Sequence, residues 1–219
     1  MSEKRRVLFV RHGQTEWNLQ YRYQGKADIP LNERGLKEAR LLAERLKSWI
    51  PCRVYSSPLV RAAETARIVA SVMDPAPSVG FVGDLAEIDF GDWESHSVYD
   101  VARKDPELYA AWRADPSMVT SPGGEAFEAV VARVKRGLGR IFEETAEDLL
   151  IVFHGGTIRA ALSILFDLPP SVVWKMRLGN CSLTGIEVRD GMCYLAFFND
   201  SAHLRVPENL AGSIPLGEW

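Results

Sequence analysis

Two apolar runs in this sequence each lead into a His-Gly pair, and this repeated pattern constrains the fold more than any other feature. Residues 7–10 precede Arg11-His12-Gly13, and Leu149–Phe153 precedes His154-Gly155-Gly156. Short, continuous apolar runs are typical of strands buried on both faces of a parallel sheet. The chain has 4 histidines, so two of them at equivalent strand ends indicate a shared site.

Helical patterns lie between the apolar runs. Leu36, Ala39, Ala43, Leu46 and Ile50 fall on one face of a predicted helix, and residues 127–142 form a longer apolar stripe. A weaker strand at residues 54–56 is followed by Ser57-Pro58, which we interpret as the N-cap and first position of a helix containing Arg61. Strands that alternate with helices predict a three-layer α/β fold with a mostly parallel central sheet flanked by helices.

Two segments depart from this alternation. Residues 182–188 and 192–198 flank Asp190-Gly191, a hairpin signal that predicts an antiparallel edge of the sheet. Residues 84–123 contain short helical stretches interrupted by Asp-Pro pairs, and we interpret them as an inserted helical cap, called the insertion below. We therefore predict a single domain over residues 1–219, with the cap insertion at roughly 84–123.

Composition limits the classes of partner. The chain is 47% apolar and 25% charged with a net charge of −3, so we expect neither nucleic acid nor a membrane as a partner. No segment approaches the ~20 apolar residues that cross a bilayer. The cysteines (Cys52, Cys181 and Cys193) are odd in number and lack a CxxC spacing, which indicates reduced thiols in a cytoplasmic protein. Whether the chain forms a homodimer is left open.

The residues at the strand ends suit phosphoryl transfer. A neutral imidazole such as that of His12 can attack phosphorus, and the planar guanidinium of an arginine binds phosphate oxygens bidentately. An anion at the start of the helix after His154 would meet free N–H groups and the positive end of the helix dipole. A lone histidine is more often structural, and we keep that interpretation for His96 and His203. A metal site made of His12, His154, Glu87 and Asp89 is conceivable, but no ligand spacing supports it.

Five stretches, taken in order along the chain, resemble the signature blocks of the histidine phosphatase superfamily, which includes the cofactor-dependent phosphoglycerate mutases. An Arg-His-Gly triplet alone would be a weak signal, whereas five blocks in order are a strong one. The blocks lie at residues 10–18, 23–35, 56–65, 85–94 and 154–159.

The resemblance implies roles for individual residues. It implies that His12 is the nucleophile and becomes phosphorylated. It implies a phosphate pocket of Arg11, Arg61 and His154. It also implies that the side chain of Asn18 and the backbone that follows His154, at Gly155 and Gly156, assist in binding phosphate.

The resemblance further implies that Glu87 is the general acid that protonates the leaving oxygen and then the base that activates water. A carboxyl beside a phosphate dianion can hold a proton near neutral pH because like charges repel. Gln24 and Gly25 would border the substrate. The substrate would be a small phosphate ester, and neither a metal nor a cofactor is expected.

The same pocket serves more than one function in this family. Residues 199–204 resemble a stretch found in α-ribazole phosphatases and broad-specificity phosphatases, which favours hydrolysis. A phosphoglycerate mutase is the alternative; it needs a basic cap, whereas Arg103, Lys104 and Arg113 are offset here by nearby carboxylates. An inactive phospho-ligand-binding module is a third hypothesis, and the full set of implied catalytic residues disfavours it. Ser95 stands where many relatives have glycine, which puts the turn after residue 94 in doubt.

Overall fold

The computed structural model describes residues 4–49 and 53–216. Within these residues the strands are β1 (Lys4–Arg11), β2 (Arg53–Ser56), β3 (Val79–Phe81), β4 (Leu149–Phe153), β5 (Leu183–Arg189) and β6 (Met192–Asp200). The helices are α1 (Glu16–Leu19), α2 (Glu33–Leu46), α3 (Val60–Ala70), α4 (Val98–Lys104), α5 (Pro106–Ala114), α6 (Phe127–Glu144), α7 (Gly155–Phe166), α8 (Pro170–Val173) and α9 (Glu208–Ala211).

The strands form one sheet in the order β3-β2-β4-β1-β5-β6. β1 pairs parallel with β4, and β2 pairs parallel with both β4 and β3. β5 runs antiparallel to β1 and to β6. The predicted α/β fold, with a mostly parallel sheet and an antiparallel edge, is therefore confirmed.

The alternation of side chains along β1 explains the three layers. Val7 and Phe9 belong to a core that includes residues of α6 and α7. Leu8 and Val10 point to the opposite face and belong to a second core with residues of α2 and α3. Since successive side chains of a strand point to opposite faces, a run that is apolar at every position requires a cover on both sides.

The predicted apolar stripes lie on the buried faces of two helices. In α2, Ala39, Ala43 and Leu46 are buried and Leu36 is half-buried, while Ile50 lies outside the described residues, as does Cys52. The stripe of α6 is buried at every turn of the helix, at Phe127, Val130, Val134, Leu138 and Ile141.

The predicted hairpin is also confirmed. Asp190 and Gly191, the two turn residues, have φ angles of 50° and 76°. Two left-handed residues in succession are what a type I′ turn requires, and Asp-Gly adopts them readily.

The predicted start of the helix that contains Arg61 is wrong. α3 begins at Val60, with Leu59 in an extended conformation as its N-cap. The N–H of Ser57 donates to the carbonyl of Val152 (3.0 Å), so Ser57 still continues the pairing of β2 with β4. Its hydroxyl lies 2.8 Å from His154 Nε2. Ser57 thus belongs to the end of the strand, and the chain turns before the helix starts.

The insertion contains short elements, namely two 3₁₀ turns (Gly83–Leu85 and Gly91–Trp93) followed by α4 and α5. Asp105 accepts a hydrogen bond from the N–H of Leu108 (3.3 Å), so one Asp-Pro pair caps α5 at its start. The single-domain organisation and the cap role of this segment stay predictions. Within the part of the chain that the structure describes, no helix is both long and apolar enough to span a membrane.

Candidate active site

The site lies where three neighbouring parallel strands end. His12 directly follows β1, Ser57 follows β2 and His154 follows β4. The imidazole rings of His12 and His154 have their centroids 5.1 Å apart. The N–H of His12 donates to the carbonyl of Phe153 (3.1 Å), which ties the ends of β1 and β4 together. The sheet therefore brings together two histidines that are far apart in the sequence, at the edge where ligands bind in open α/β sheets.

The contacts of His12 fix its tautomer. Its side chain is buried, and Nδ1 lies 2.7 Å from the carbonyl oxygen of Gly13. A carbonyl oxygen can only accept, so Nδ1 carries the proton and Nε2 keeps a free lone pair. Burial, together with the charges of Arg61 and Arg11, holds the pKa of His12 well below its ordinary value. The ring is therefore neutral at neutral pH, as a nucleophile must be.

Two arginines, the half-buried Arg11 and the fully buried Arg61, lie beside His12. Arg61 donates from its two terminal nitrogens to the carbonyls of Gly25 (2.7 Å) and Ala27 (2.8 Å), and Arg11 donates to the carbonyl of Leu178 (2.6 Å). The Nε atoms of both arginines are buried and have no hydrogen-bond partner among the described residues. Burial lowers the pKa of Arg61 to about 10 and also lowers that of Arg11, although the charge of Glu87 opposes both shifts. Buried cations with unused donors constitute a site for an anion.

His154 is the N-cap of α7, a helix that begins with two glycines. A Cβ on Gly156 would lie 2.5 Å from both Glu87 Oε1 and the Cδ1 of Ile88, so only glycine lets these groups approach. A Cβ on Gly155 would lie 3.2 Å from an Nη of Arg159. Burial, followed by the charge of Arg61, lowers the pKa of His154 well below its ordinary value.

Glu87 faces the same helix start from the insertion. Its Oε2 accepts from the N–H of Gly156 (3.1 Å), and its Oε1 accepts from its neighbour, the N–H of Ile88 (2.9 Å). Arg133 of α6 supports this loop from behind by donating to the carbonyls of Ala86 (2.5 Å) and Glu87 (3.0 Å). The carboxylate is therefore held at a defined position at the start of α7, in the cleft that His12 also lines.

An open cleft joins most of the predicted site residues. Its lining is Arg11, His12, Asn18, Arg22, Tyr23, Gln24, Gly25, Arg61, Glu87 and Phe90. Gly25 has a φ of 47°, and a Cβ there would overlap the Glu94 carboxylate. The predicted residues outside the lining, His154, Gly155 and Gly156, lie directly behind it, in contact with Ser57, Arg159 and Glu87 respectively.

Comparisons with known proteins agree with this geometry. The model of the histidine phosphatase superfamily (branch 1) matches residues 7–201. The chain belongs to the histidine phosphatase superfamily. The adenosylcobalamin/α-ribazole phosphatase of Salmonella typhimurium is 34% identical over 199 residues, which make up 90% of this chain and 97% of that protein. The metal-independent phosphoserine phosphatase of Arabidopsis thaliana is 34% identical over 206 residues, 93% of this chain and 84% of that protein.

A solved structure shows the same relationship. The α-ribazole phosphatase from Shigella flexneri superposes with a TM-score of 0.81 at 32% identity, covering 90% of this chain and 96% of that one. The similarity in sequence and in fold extends over nearly the whole chain. This histidine phosphatase is thus an enzyme, and its reaction class is phosphate-ester hydrolysis.

The sequence did not predict several residues that line or support the site of this histidine phosphatase. Arg22, Tyr23 and Phe90 line the cleft, and Arg133 and Asn180 hold other site residues from behind. The aromatic residues Trp93, Tyr109 and Trp112 of the insertion pack in a small core that also contains Val101 and two residues of the cleft lining, Tyr23 and Phe90. An aromatic residue on its own does not show which side of a cap it faces.

The other two histidines lie away from the catalytic chemistry. His96 is exposed, with Nδ1 3.1 Å from the carbonyl of Glu94, and it borders a second cavity of about 190 Å³ within the insertion. His203 is buried, and its Nδ1 lies 3.1 Å from a guanidinium nitrogen of Arg45. Both positions agree with the structural interpretation. In residues 4–49 and 53–216, no three His, Cys, Asp or Glu side chains are grouped to hold a metal ion.

Proposed function

We propose that this phosphatase hydrolyses small phosphomonoesters in two steps through a phosphohistidine on His12. The observation that carries the proposal is the arrangement of three side chains. His12 presents an unprotonated Nε2, and the buried Nε groups of Arg11 and Arg61 beside it have no hydrogen-bond partner within the described residues. A neutral nucleophile next to cations with unused Nε donors suits attack on a phosphate dianion.

In the first step, Nε2 of His12 forms a bond to phosphorus while the bond to the ester oxygen breaks. Glu87 donates its proton to the leaving oxygen, so the product departs as an alcohol. The guanidinium groups of Arg11 and Arg61, the ring of His154, the Asn18 amide and the start of α7 hold the charge on the phosphoryl oxygens.

In the second step, a water molecule occupies the place of the alcohol. Glu87, now a carboxylate, accepts a proton from the water as its oxygen bonds to phosphorus. The bond from phosphorus to Nε2 breaks, inorganic phosphate leaves, and both His12 and Glu87 return to their starting states. One carboxyl group thus serves as acid and then as base, because the proton that it loses in the first step is returned by water in the second.

The lining of the cleft supports the proposal that the substrate is a small phosphorylated metabolite. Gln24 and Gly25 border the space beyond the phosphate pocket, and Tyr23 and Phe90 add aromatic surface. The relatives compared above are named for α-ribazole and for phosphoserine. Each name gives either a small phosphorylated compound or the product that remains when its phosphate is removed.

The charges around the cleft favour hydrolysis over mutase activity. A mutase must hold a second anionic group firmly, which takes several cations beyond the phosphate pocket. Of the described residues that line the cleft, Arg22 is the one cation besides Arg11 and Arg61. Within the insertion, Arg103 is paired with Asp100 at 2.5 Å. No observation favours the mutase or the inactive binding module.

The test combines a substrate screen with trapping of the intermediate. The purified enzyme is assayed for phosphate release from a panel of phosphate esters, and turnover on the best one is quenched in alkali, which spares phosphohistidine. Mass spectrometry should locate the added phosphate on His12. His12→Ala should abolish both signals, while His96→Ala, the matched control outside the cleft, should keep them. Phosphate found only on a serine, or undiminished activity of His12→Ala, would refute the mechanism.

A further inference from the structure

Asn180 lies behind the cleft and contacts two site residues at once. Its Nδ2 is 3.0 Å from the carbonyl oxygen of His12 and 3.2 Å from Oδ1 of Asn18. A carbonyl oxygen can only accept, so the amide nitrogen, and not the amide oxygen, must face His12. Asn180 therefore uses both N–H groups of its amide: one donates to the backbone carbonyl of His12 and the other to the side chain of Asn18.

The contacts of Asn18 fix the orientation of its own amide. Oδ1 of Asn18 accepts from the backbone N–H of Thr15 (3.1 Å), which can only donate, and from Asn180 Nδ2 (3.2 Å). Thr15 Oγ1 lies 3.2 Å from the same oxygen. Because the oxygen is held by these donors, the NH₂ group of Asn18 points to the other side. Asn18 lines the cleft together with Arg11 and His12.

We propose that Asn180 is a positioning residue that holds Asn18 with its NH₂ group toward the transferred phosphate. The inference rests on the proposed function, since it assigns the orientation of a donor in that phosphate pocket. An amide rotated by half a turn would present its oxygen to the phosphate, and an acceptor facing an anion repels it. Asn180 opposes this rotation together with the backbone N–H of Thr15, because both N–H groups would then face the NH₂ of Asn18.

The loop that carries Asn180 is itself fixed to the end of β1. The N–H of Cys181 donates to the carbonyl of Arg11 (2.9 Å), and the carbonyl of Leu178 accepts from the Arg11 guanidinium (2.6 Å). On the other side, Asn199 Oδ1 accepts from the N–H of Gly179 (2.7 Å). The position of Asn180 is therefore set by the sheet and not by the ligand, as positioning requires.

The experiment measures the inhibition constant of inorganic phosphate, which does not depend on the fraction of active enzyme. Asn180→Asp keeps the side-chain size and replaces both donors by acceptors, and Asn180→Ala removes them without adding charge. Each should raise the inhibition constant about ten-fold, the order expected for one lost hydrogen bond to a charged group. Asn199→Asp is the matched control. It adds the same charge beside the same loop, from the neighbouring strand β6, but keeps the acceptor for Gly179, so its constant should stay within about two-fold of wild type.

A double-mutant cycle separates positioning from a general effect on structure. In an Asn18→Ala background, Asn180→Ala should change the inhibition constant by no more than about two-fold, because the amide that Asn180 orients is gone. The same ten-fold increase in both backgrounds would overturn the proposal, and so would wild-type constants in both Asn180 variants. The cycle at positions 18 and 180 can be repeated without turnover in a His12→Ala background, where calorimetry measures the binding of phosphate. A failure of the phosphohistidine mechanism is therefore distinguishable from a failure of this inference.

Discussion

The carboxylate of Glu87 accepts a hydrogen bond from the backbone N–H of Gly156, 3.1 Å away. This contact joins the insertion to the first turn of α7, and in the proposed mechanism it places the proton carrier next to the helix start that would hold the phosphate. The acid and the anion site are consequently parts of one hydrogen-bonded unit, and changes on either side of the contact should affect catalysis.

Glu87→Gln tests the proton transfer itself. An alkyl phosphate has a poor leaving group that needs the proton, and general acid catalysis contributes about 10²–10⁴ in rate. The variant should lose this factor on alkyl phosphates and far less on p-nitrophenyl phosphate, whose phenolate leaves without help. Single-turnover rates on both esters provide the measurement. Equal losses would assign Glu87 to phosphate binding or to dephosphorylation.

Gly156→Ala tests the close approach of helix and acid. The new methyl group would lie 2.5 Å from Glu87 Oε1, so the carboxylate must move. A displacement of about 1 Å at a catalytic group can cost about 100-fold, and we expect a loss of that order in kcat/KM. Gly139→Ala is the control. Beyond the backbone of α6 itself, no atom of the described residues lies within 4 Å of its Cβ position, so it should retain activity and stabilise the fold by about 0.5–1 kcal/mol. Full activity of Gly156→Ala would contradict the assigned contact.

Removal of metals should leave the enzyme active. In the proposed mechanism, the arginines of the pocket and His154 supply the charge stabilisation that a metal ion supplies elsewhere. After exhaustive dialysis against EDTA, phosphate release should equal that of the untreated enzyme. A loss that added zinc, magnesium or manganese restores would support the metallohydrolase alternative.

Supplying 3-phosphoglycerate with 2,3-bisphosphoglycerate as primer tests hydrolysis against mutase activity. In the proposed mechanism both reactions would pass through the same phosphohistidine, and a mutase must keep a doubly anionic product bound. Each charge-assisted hydrogen bond contributes only about 1.5–3 kcal/mol, and Arg22 is the one further cation among the described cleft residues. We expect little or no 2-phosphoglycerate. Isomerisation faster than the best phosphate release would make the protein a mutase.

Ser95 offers a test of stability outside the site. Its φ of 69° is left-handed, so the turn keeps the conformation that glycine would favour. Ser95→Gly should stabilise the protein by about 0.5 kcal/mol, the strain relieved less the entropy that glycine adds to the unfolded chain. Ser97→Gly, which removes the N-cap of α4 at a φ of −70°, should destabilise it by a few tenths of a kcal/mol. Urea unfolding of both variants measures whether each substitution raises or lowers the free energy of unfolding. A lower value for Ser95→Gly would show that the backbone at Ser95 is unstrained.

The sequence predicts most strongly what depends on short-range pattern. The strand-end positions of His12 and His154 followed from apolar runs buried on both faces. Arg133 could not be found this way, because it contacts the backbone of Glu87 across 46 residues and nothing near it indicates the loop it supports. Asn180 contacts Asn18 across 162 residues and lies in an irregular loop. Ser57 shows the opposite error, since a local capping pattern was overridden by pairing with β4.

The contacts of Arg61 have a consequence for how specificity can diverge among relatives. Its two terminal nitrogens hold the carbonyls of Gly25 and Ala27, and Gln24 and Gly25 also border the cleft. In the proposed mechanism, the segment that would meet the alcohol part of the substrate and the cation that would hold its phosphate are thus joined by hydrogen bonds. A substitution that reshapes residues 24–27 for a new alcohol also moves the guanidinium. Selection for a new substrate in this segment therefore acts on phosphate affinity as well, and it extends to Phe90, whose N–H shares the Glu94 carboxylate with the N–H groups of Lys26 and Ala27.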